Sequence, residues 1–366
     1  MSDVIPQQSD NDGLQPQLLF KTGHATRILD IFFLPDERRV ITGSYDGTLM
    51  VWDLGNGERE GSSMDHRNPM WDFAMTRDGS KIISAGVSGV VKVWDVEARN
   101  LFTKWNHPDE YISLAISPDD QLVAVYHQIV AIYTMEGTQV NNTIEVGEAI
   151  TTLRFSPDGS KLACTSGTAI ATRHDHDSNP YDVRVYDVES GTLLLGPFEC
   201  HEDVVYSILW SRDGSKIFTA SSDQTICCWN SVTGKLIGRP MMGHTKEIYS
   251  LSLSPDGSIL ASTSADNTIR FWDATSGHPV GQHGKHDHVV KAACFSPCGE
   301  SIASIDWDRK IYLWRVPWLN SIKDQVTTPF AFTSTSIHPL QLPQNERSDR
   351  SPFVSNYLLG LSIDDH

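Results

Sequence analysis

Apolar and polar residues alternate along most of the chain, in runs such as LDIFFL, IYSLSLS and TIRFW. A period of two places successive side chains on opposite faces of an extended backbone, so these runs predict β-strands rather than helices. A recurring turn punctuates them: LPDE at Leu34, TRDG at Thr76, SPDD at Ser117, SPDG at Ser156, SRDG at Ser211, SPDG at Ser254 and SPCG at Ser296. Counted from the second residue of each turn (Pro35, Arg77, Pro118, Pro157, Arg212, Pro255 and Pro297), the steps are 42, 41, 39, 55, 43 and 42 residues. A repeat of that length holds three or four antiparallel strands and has the period of a propeller blade.

Four residue types keep register with this turn. Seventeen residues after the anchor stands Trp52, Trp94, Trp229, Trp272 or Trp314; in the third and fourth copies Tyr133 and Tyr186 take its place, 15 and 29 residues after the anchor. Eleven residues before it stands His24, His66, His107, His201, His244 or His286, and Val146 in the fourth copy. Ten before each tryptophan is Thr42, Ser84, Thr219, Ser262 or Ser304; six before it is Asp46, Asp223, Asp266 or Asp308, with Ser88 in the second copy. With the GH at Gly23 and the WD pairs at Trp52, Trp94 and Trp272, these registers resemble the WD40-repeat family over about residues 16–316. The resemblance implies an all-β, seven-bladed propeller in which each Asp, His, Ser/Thr and Trp set is a hydrogen-bonded chain. The chemistry suits that role: a buried indole N–H needs an acceptor, a hydroxyl supplies one, and a carboxylate orients the imidazole. His, Ser and Asp together also resemble a hydrolase triad. Near-copies in five repeats, with no G-x-S-x-G elbow, argue for structure instead.

Each tryptophan motif is followed by a turn and an outer strand, as in NLFTKW before His107 and KLIGRPMM before His244. The seventh copy has no such strand downstream, whereas PQLLFKT at Pro16–Thr22 has no blade before it. The N-terminal strand is therefore expected to complete blade seven. Residues 1–15 and 317–366, rich in Ser, Thr, Pro, Gln and Asn, are expected to be disordered tails. The third copy is shortened and lacks the turn aspartate. The fourth carries an insertion, Ser166–Tyr181, whose His174, Asp175, His176 and Asp177 are metal-ligand types. Two-apart residues on a loop are not pre-organised, so a solvated polar loop is expected there, with no metal and no cofactor.

In the WD40 family, the positions three and five after the blade histidine, and the one before the turn aspartate, point toward the channel mouth. The resemblance so places Arg27, Leu29 and Tyr45; Pro69, Trp71 and Val87; Glu110 and Ile112; Val204, Tyr206 and Ser222; Glu247, Tyr249 and Ala265; and Val289, Lys291 and Trp307. Tyr126 is a further candidate in the third blade. Of these, Arg27, Leu29, Tyr45, Trp71, Tyr206, Glu247, Tyr249, Lys291 and Trp307 form the expected partner-binding rim, since Tyr, Trp and Arg dominate interface hot spots.

Composition narrows the partner. The formal charge of −17 repels phosphate backbones and anionic lipid, so neither nucleic acid nor membrane is expected. The first residues have no basic and apolar leader, and no apolar run reaches membrane-spanning length. Six cysteines without a CxxC pair read as buried reduced thiols, which suits the cytoplasm or nucleus. The expected function is a non-catalytic scaffold or adaptor, a monomeric propeller working within a complex. Two alternatives are a ubiquitin-ligase substrate receptor, and an enzyme with a site in the channel. Against the first, no Arg stands two residues after a WD pair, where Gly55, Glu97 and Thr275 lie.

Overall fold

The computed structural model describes residues 17–106, 113–126, 129–146, 150–166, 181–198 and 201–316, and of residues 17–21, 141, 142 and 166 the backbone alone. Within them the chain forms seven four-stranded antiparallel sheets and no helix. Strands a to d of blade one are Ile28–Phe33, Arg39–Ser44, Thr48–Asp53 and Met64–Asp65, hydrogen-bonded in that order from the axis outward. The a strands of blades two to seven are Met70–Met75, Ser113–Ile116, Ile150–Phe155, Val205–Trp210, Ile248–Leu253 and Val290–Phe295. Each touches the next, and the seventh touches the first, which closes the ring of a β-propeller.

The last blade is built from both ends of the described chain. Its b and c strands, Ser301–Asp306 and Lys310–Arg315, follow its a strand, while its d strand is Gln17–Lys21. That strand runs antiparallel to the c strand, with Gln17 opposite Leu313 and Lys21 opposite Lys310. The outer strands differ in length around the ring: seven residues in blades two and three, six in blade four, and two in blades one, five and six.

The apolar core is divided among the seams between blades. One cluster joins Phe218, Ile226 and Cys228 of blade five to Ile248 and Trp272 of blade six; another joins Ala303, Ile305 and Ile311 of blade seven to Ile28 and Trp52 of blade one. Every blade thus depends on both neighbours. The turns between strands a and b fix the sheet ends on one face. In blade six the Ser254 hydroxyl donates to Asp256 (2.6 Å), and the amides of Ser258 and Ile259 donate to Asp256 (3.0 Å) and Ser254 (2.9 Å). Gly257 closes the turn at φ 75°, and a Cβ there would lie 3.1 Å from Arg212 in the preceding blade's turn. Gly79 is likewise packed against Pro35 of blade one, so these glycines serve both the turn and the seam.

Cysteine chemistry departs from the expectation at one position. Cys164 and Cys228 are buried free thiols, and burial pushes Cys164 up to about 12. Cys294 is half-buried and Cys298 exposed. Cys227, however, is disulfide-bonded, which corrects the all-thiol reading there. Cys200 lies outside the described residues, as do His107, Glu110, Ile112 and the His174–Asp177 run.

Candidate functional site

Two sets of side chains gather at the face where strands b and c connect: the buried histidine chains and the channel rim. In blade six the Trp272 indole donates to Ser262 (2.9 Å), Ser262 lies 2.8 Å from His244 Nε2, and His244 Nδ1 lies 2.8 Å from Asp266. Asp266 also accepts from the Thr245 and Thr268 amides (3.0 and 2.9 Å) and from the Thr268 hydroxyl (2.6 Å). Burial alone would raise its pKa; the hydrogen bond and charge of His244, with those from Thr268 and Thr245, outweigh it and hold the carboxyl well below its usual range. Burial in turn lowers the His244 pKa, against the pull of Asp266. Blade five repeats the arrangement through Trp229, Thr219, His201 and Asp223.

The other blades vary. In blade one Trp52 and His24 both meet Thr42, but His24 Nδ1 turns to Thr48 (2.7 Å) and Asp46 stands off at 3.8 Å. In blade two Ser84 bonds Trp94 and His66 Nδ1, and His66 Nε2 has no partner among the described residues. Blade seven corrects the expectation for Asp308. Trp314, Ser304 and His286 Nε2 are linked, yet His286 Nδ1 is unpartnered among the described residues and Asp308 faces outward to Lys310 and His288. The carboxylate buried in that blade is Asp306, where blades one, five and six carry Ser44, Ser221 and Ser264. Burial lowers His66 to about 4 and His286 to about 3, so both are neutral in the fold.

The rim aromatics form two groups. Tyr45 meets Trp71 edge-on with ring centres 5.2 Å apart, on blades one and two. Across the mouth Tyr206, Tyr249 and Trp307 run in series from blade five to blade seven, at 5.3 and 6.1 Å. Trp307 is 56% exposed, Arg27 is exposed, and Leu29, Tyr45, Trp71, Tyr206, Glu247, Tyr249 and Lys291 are half-buried. Each group carries a cation: Arg27 lies 4.9 Å over Tyr45 and Lys291 lies 4.7 Å over Tyr249. Three candidates are not on the rim. Val204 and Ala265 are buried, and Tyr126 is 3% exposed, packed with Ile150 and Leu153 of the next blade. It ends a strand that pairs in register through Tyr126 and Val130, which turns its ring into the seam.

Below the rim the channel wall holds charges that sequence register did not single out. Asp30 and Asp72 are half-buried there; burial first, and their mutual repulsion for Asp30, push Asp30 up to about 6 and raise Asp72, against the pull of Arg154. Asp72 also accepts from the Leu114 amide of blade three at 3.0 Å. The signal was a carboxylate inside otherwise apolar inner strands, ILDIFF and MWDFAM. Among the described residues no cluster of three or more metal-ligating side chains occurs.

Comparison with known proteins agrees with this architecture. The family described as "WD domain, G-beta repeat" matches residues 16–53, 58–95, 192–230, 234–273 and 277–315, more than half of the chain. The chain belongs to the WD40-repeat family. Among its curated WD40 relatives, "Periodic tryptophan protein 2" of Arabidopsis thaliana is 22% identical over 59% of this chain and 23% of its own length. "WD repeat-containing protein 1" of Rattus norvegicus is 24% identical over 57% of this chain and 34% of its own. "Transcription factor unc-37" of Caenorhabditis elegans is 23% identical over 44% and 26%. The chain thus spans well under half the length of these relatives. The matches leave out blades three and four, where the family's histidine or tryptophan is replaced. WD40 propellers are in general protein-interaction scaffolds rather than catalysts.

Proposed function

We propose that this WD40 chain is a non-catalytic scaffold that holds a segment of another protein across the aromatic rim of its channel. The observation that carries the reading is the convergence of Tyr45, Trp71, Tyr206, Tyr249 and Trp307 on one mouth, all at least partly open to solvent. Scattered exposed aromatics need no explanation, but a ring of them beside cations has the composition of a binding hot spot. Against an enzyme in the tetrads stands burial: Ser262 and Ser304 are 0% exposed, so neither hydroxyl reaches a substrate. The acidic surface favours protein over nucleic acid as the partner.

The test begins with partners captured from native cells, identified by mass spectrometry and purified. Trp71→Ala, Tyr249→Ala and Trp307→Ala should each leave folding stability within about 1 kcal/mol of wild type. Affinity for a captured partner should fall by about 2 kcal/mol or more for each, roughly 30-fold. Unfolding of the variants, or full retention of every partner, would move the search away from this rim.

A further inference from the structure

On the face where strands a and b connect, an arginine closes the seam between blades one and two. Arg39, at the start of a b strand, reaches Asp36 in its own turn and Glu97 of blade two, each at 2.5 Å. By strand register, Lys81, Asp78 and Glu136 hold the same three places in the seam between blades two and three. There the cation has turned away. Lys81 lies over the Phe102 ring, 4.7 Å from its centre. Among the described residues none of Lys81, Asp78 and Glu136 makes an ion pair within 4.0 Å. This second seam holds a cavity of about 280 Å³, lined among others by Asp78, Lys81 and Phe102 of blade two and by Asp120, Met135 and Glu136 of blade three.

The cavity has an apolar floor and an acidic rim. Met135 is buried, Phe102 is 52% exposed, and three carboxylates stand against one ammonium. Asp78 accepts from the Thr76 and Ser80 hydroxyls at 2.7 and 2.9 Å, and Asp120 from the Arg77 amide at 2.9 Å, while Glu136 is exposed. Beside the cavity runs Asn100–Asn106, the outermost strand of its sheet, with Leu101 and Phe102 exposed. Its outer edge has no partner strand among the described residues, and a regular edge of this kind accepts a further strand.

We infer that this groove, separate from the rim, is a second docking site, taking an extended segment of a partner protein that pairs along Asn100–Asn106 and seats one arginine side chain in the cavity. The occupant is read from the neighbouring seam: a guanidinium between Asp78 and Glu136 repeats the arrangement of Arg39 between Asp36 and Glu97. The methylenes of an arginine cover an apolar floor such as Met135 and Phe102, and its planar head pairs with carboxylates on both sides, as the point charge of a lysine does not.

The test uses the full chain and a random twelve-residue peptide display library. Enriched peptides are synthesised and measured by fluorescence anisotropy against wild type and three variants at exposed positions, Glu136→Gln, Phe102→Ser and Trp307→Ala. A class of binders with an arginine in an alternating apolar and polar segment is expected. For that class, Glu136→Gln and Phe102→Ser should each weaken binding about 10-fold, and Trp307→Ala should leave it unchanged. Replacing the peptide's arginine by alanine should lose about 10-fold on wild type and hardly anything further on Glu136→Gln. Absence of an arginine class, or indifference of that class to either groove substitution, would overturn the inference. Binders lost on Trp307→Ala alone would speak for the rim and against the groove. Self-association of the full chain in sedimentation, abolished by Glu136→Gln, would put a second copy in the groove and overturn the partner assignment.

Discussion

Asp30 sits in the channel wall with its carboxyl pushed up to about 6 by burial first and by Asp72 in part. Its value in the unfolded chain is near 3.8. Between those values the folded protein binds the extra proton, so folding is favoured as pH falls; above about 6 the charged form is carried into the fold at a cost. Asp30→Asn keeps an acceptor for the Ile31 amide and removes that charge. It should therefore raise stability at pH 7.5 by about 1–3 kcal/mol, with the gain gone by pH 4. Melting curves of both proteins at the two pH values decide it, and a wild type more stable than the variant at pH 7.5 would refute the assignment. The same inner strands show what register misses. Leu29 and Trp71 were found by counting from the blade histidine, whereas Asp30 and Asp72, one residue further on, were passed over because the count followed the mouth and not the wall.

Within a blade, the histidine chain is as strong as its weakest member. Asp266 gathers four partners, and truncating it to Ala should strand His244 Nδ1 and two backbone amides, for a loss of about 2–4 kcal/mol. Asp308 faces outward at half exposure, so Asp308→Ala should change stability by less than about 1 kcal/mol. Chemical denaturation of the two variants separates them, and equal losses would mean that blade seven has the same network as blade six. Sequence register gives the two aspartates one role. It cannot see that blade seven also carries Asp306 and Tyr312, where blade six has Ser264 and Arg270, so that the buried space is filled by other polar groups. The strands themselves were legible because alternation and turn spacing are backbone properties repeated seven times. The short outer strands Met64–Asp65, Met241–Met242 and Gly284–Lys285 were less so, since two residues hold no period. Tyr126 was misplaced for a related reason: the shortened hairpin leaves no fixed count from strand to rim.

For the molecule as a whole, the core is divided among the seams between blades, and the Gln17–Lys21 strand completes the seventh sheet. Deleting residues 1–22 would expose the edge of Lys310–Arg315. The truncated chain should melt markedly lower or aggregate; a melting temperature within about a degree of the full chain would show the strand to be dispensable. That closing strand also imposes an order in time. Gln17 is synthesised about 300 residues before its partner Leu313, an interval on the order of 15–60 s at usual elongation rates. During it the Gln17–Lys21 strand lacks its partner, while all strands of blades one to six are made before Lys310. Pairing of the closing strand therefore waits on Lys310–Arg315, and a nascent chain stalled before Lys310 holds Gln17–Lys21 without the strand it pairs with.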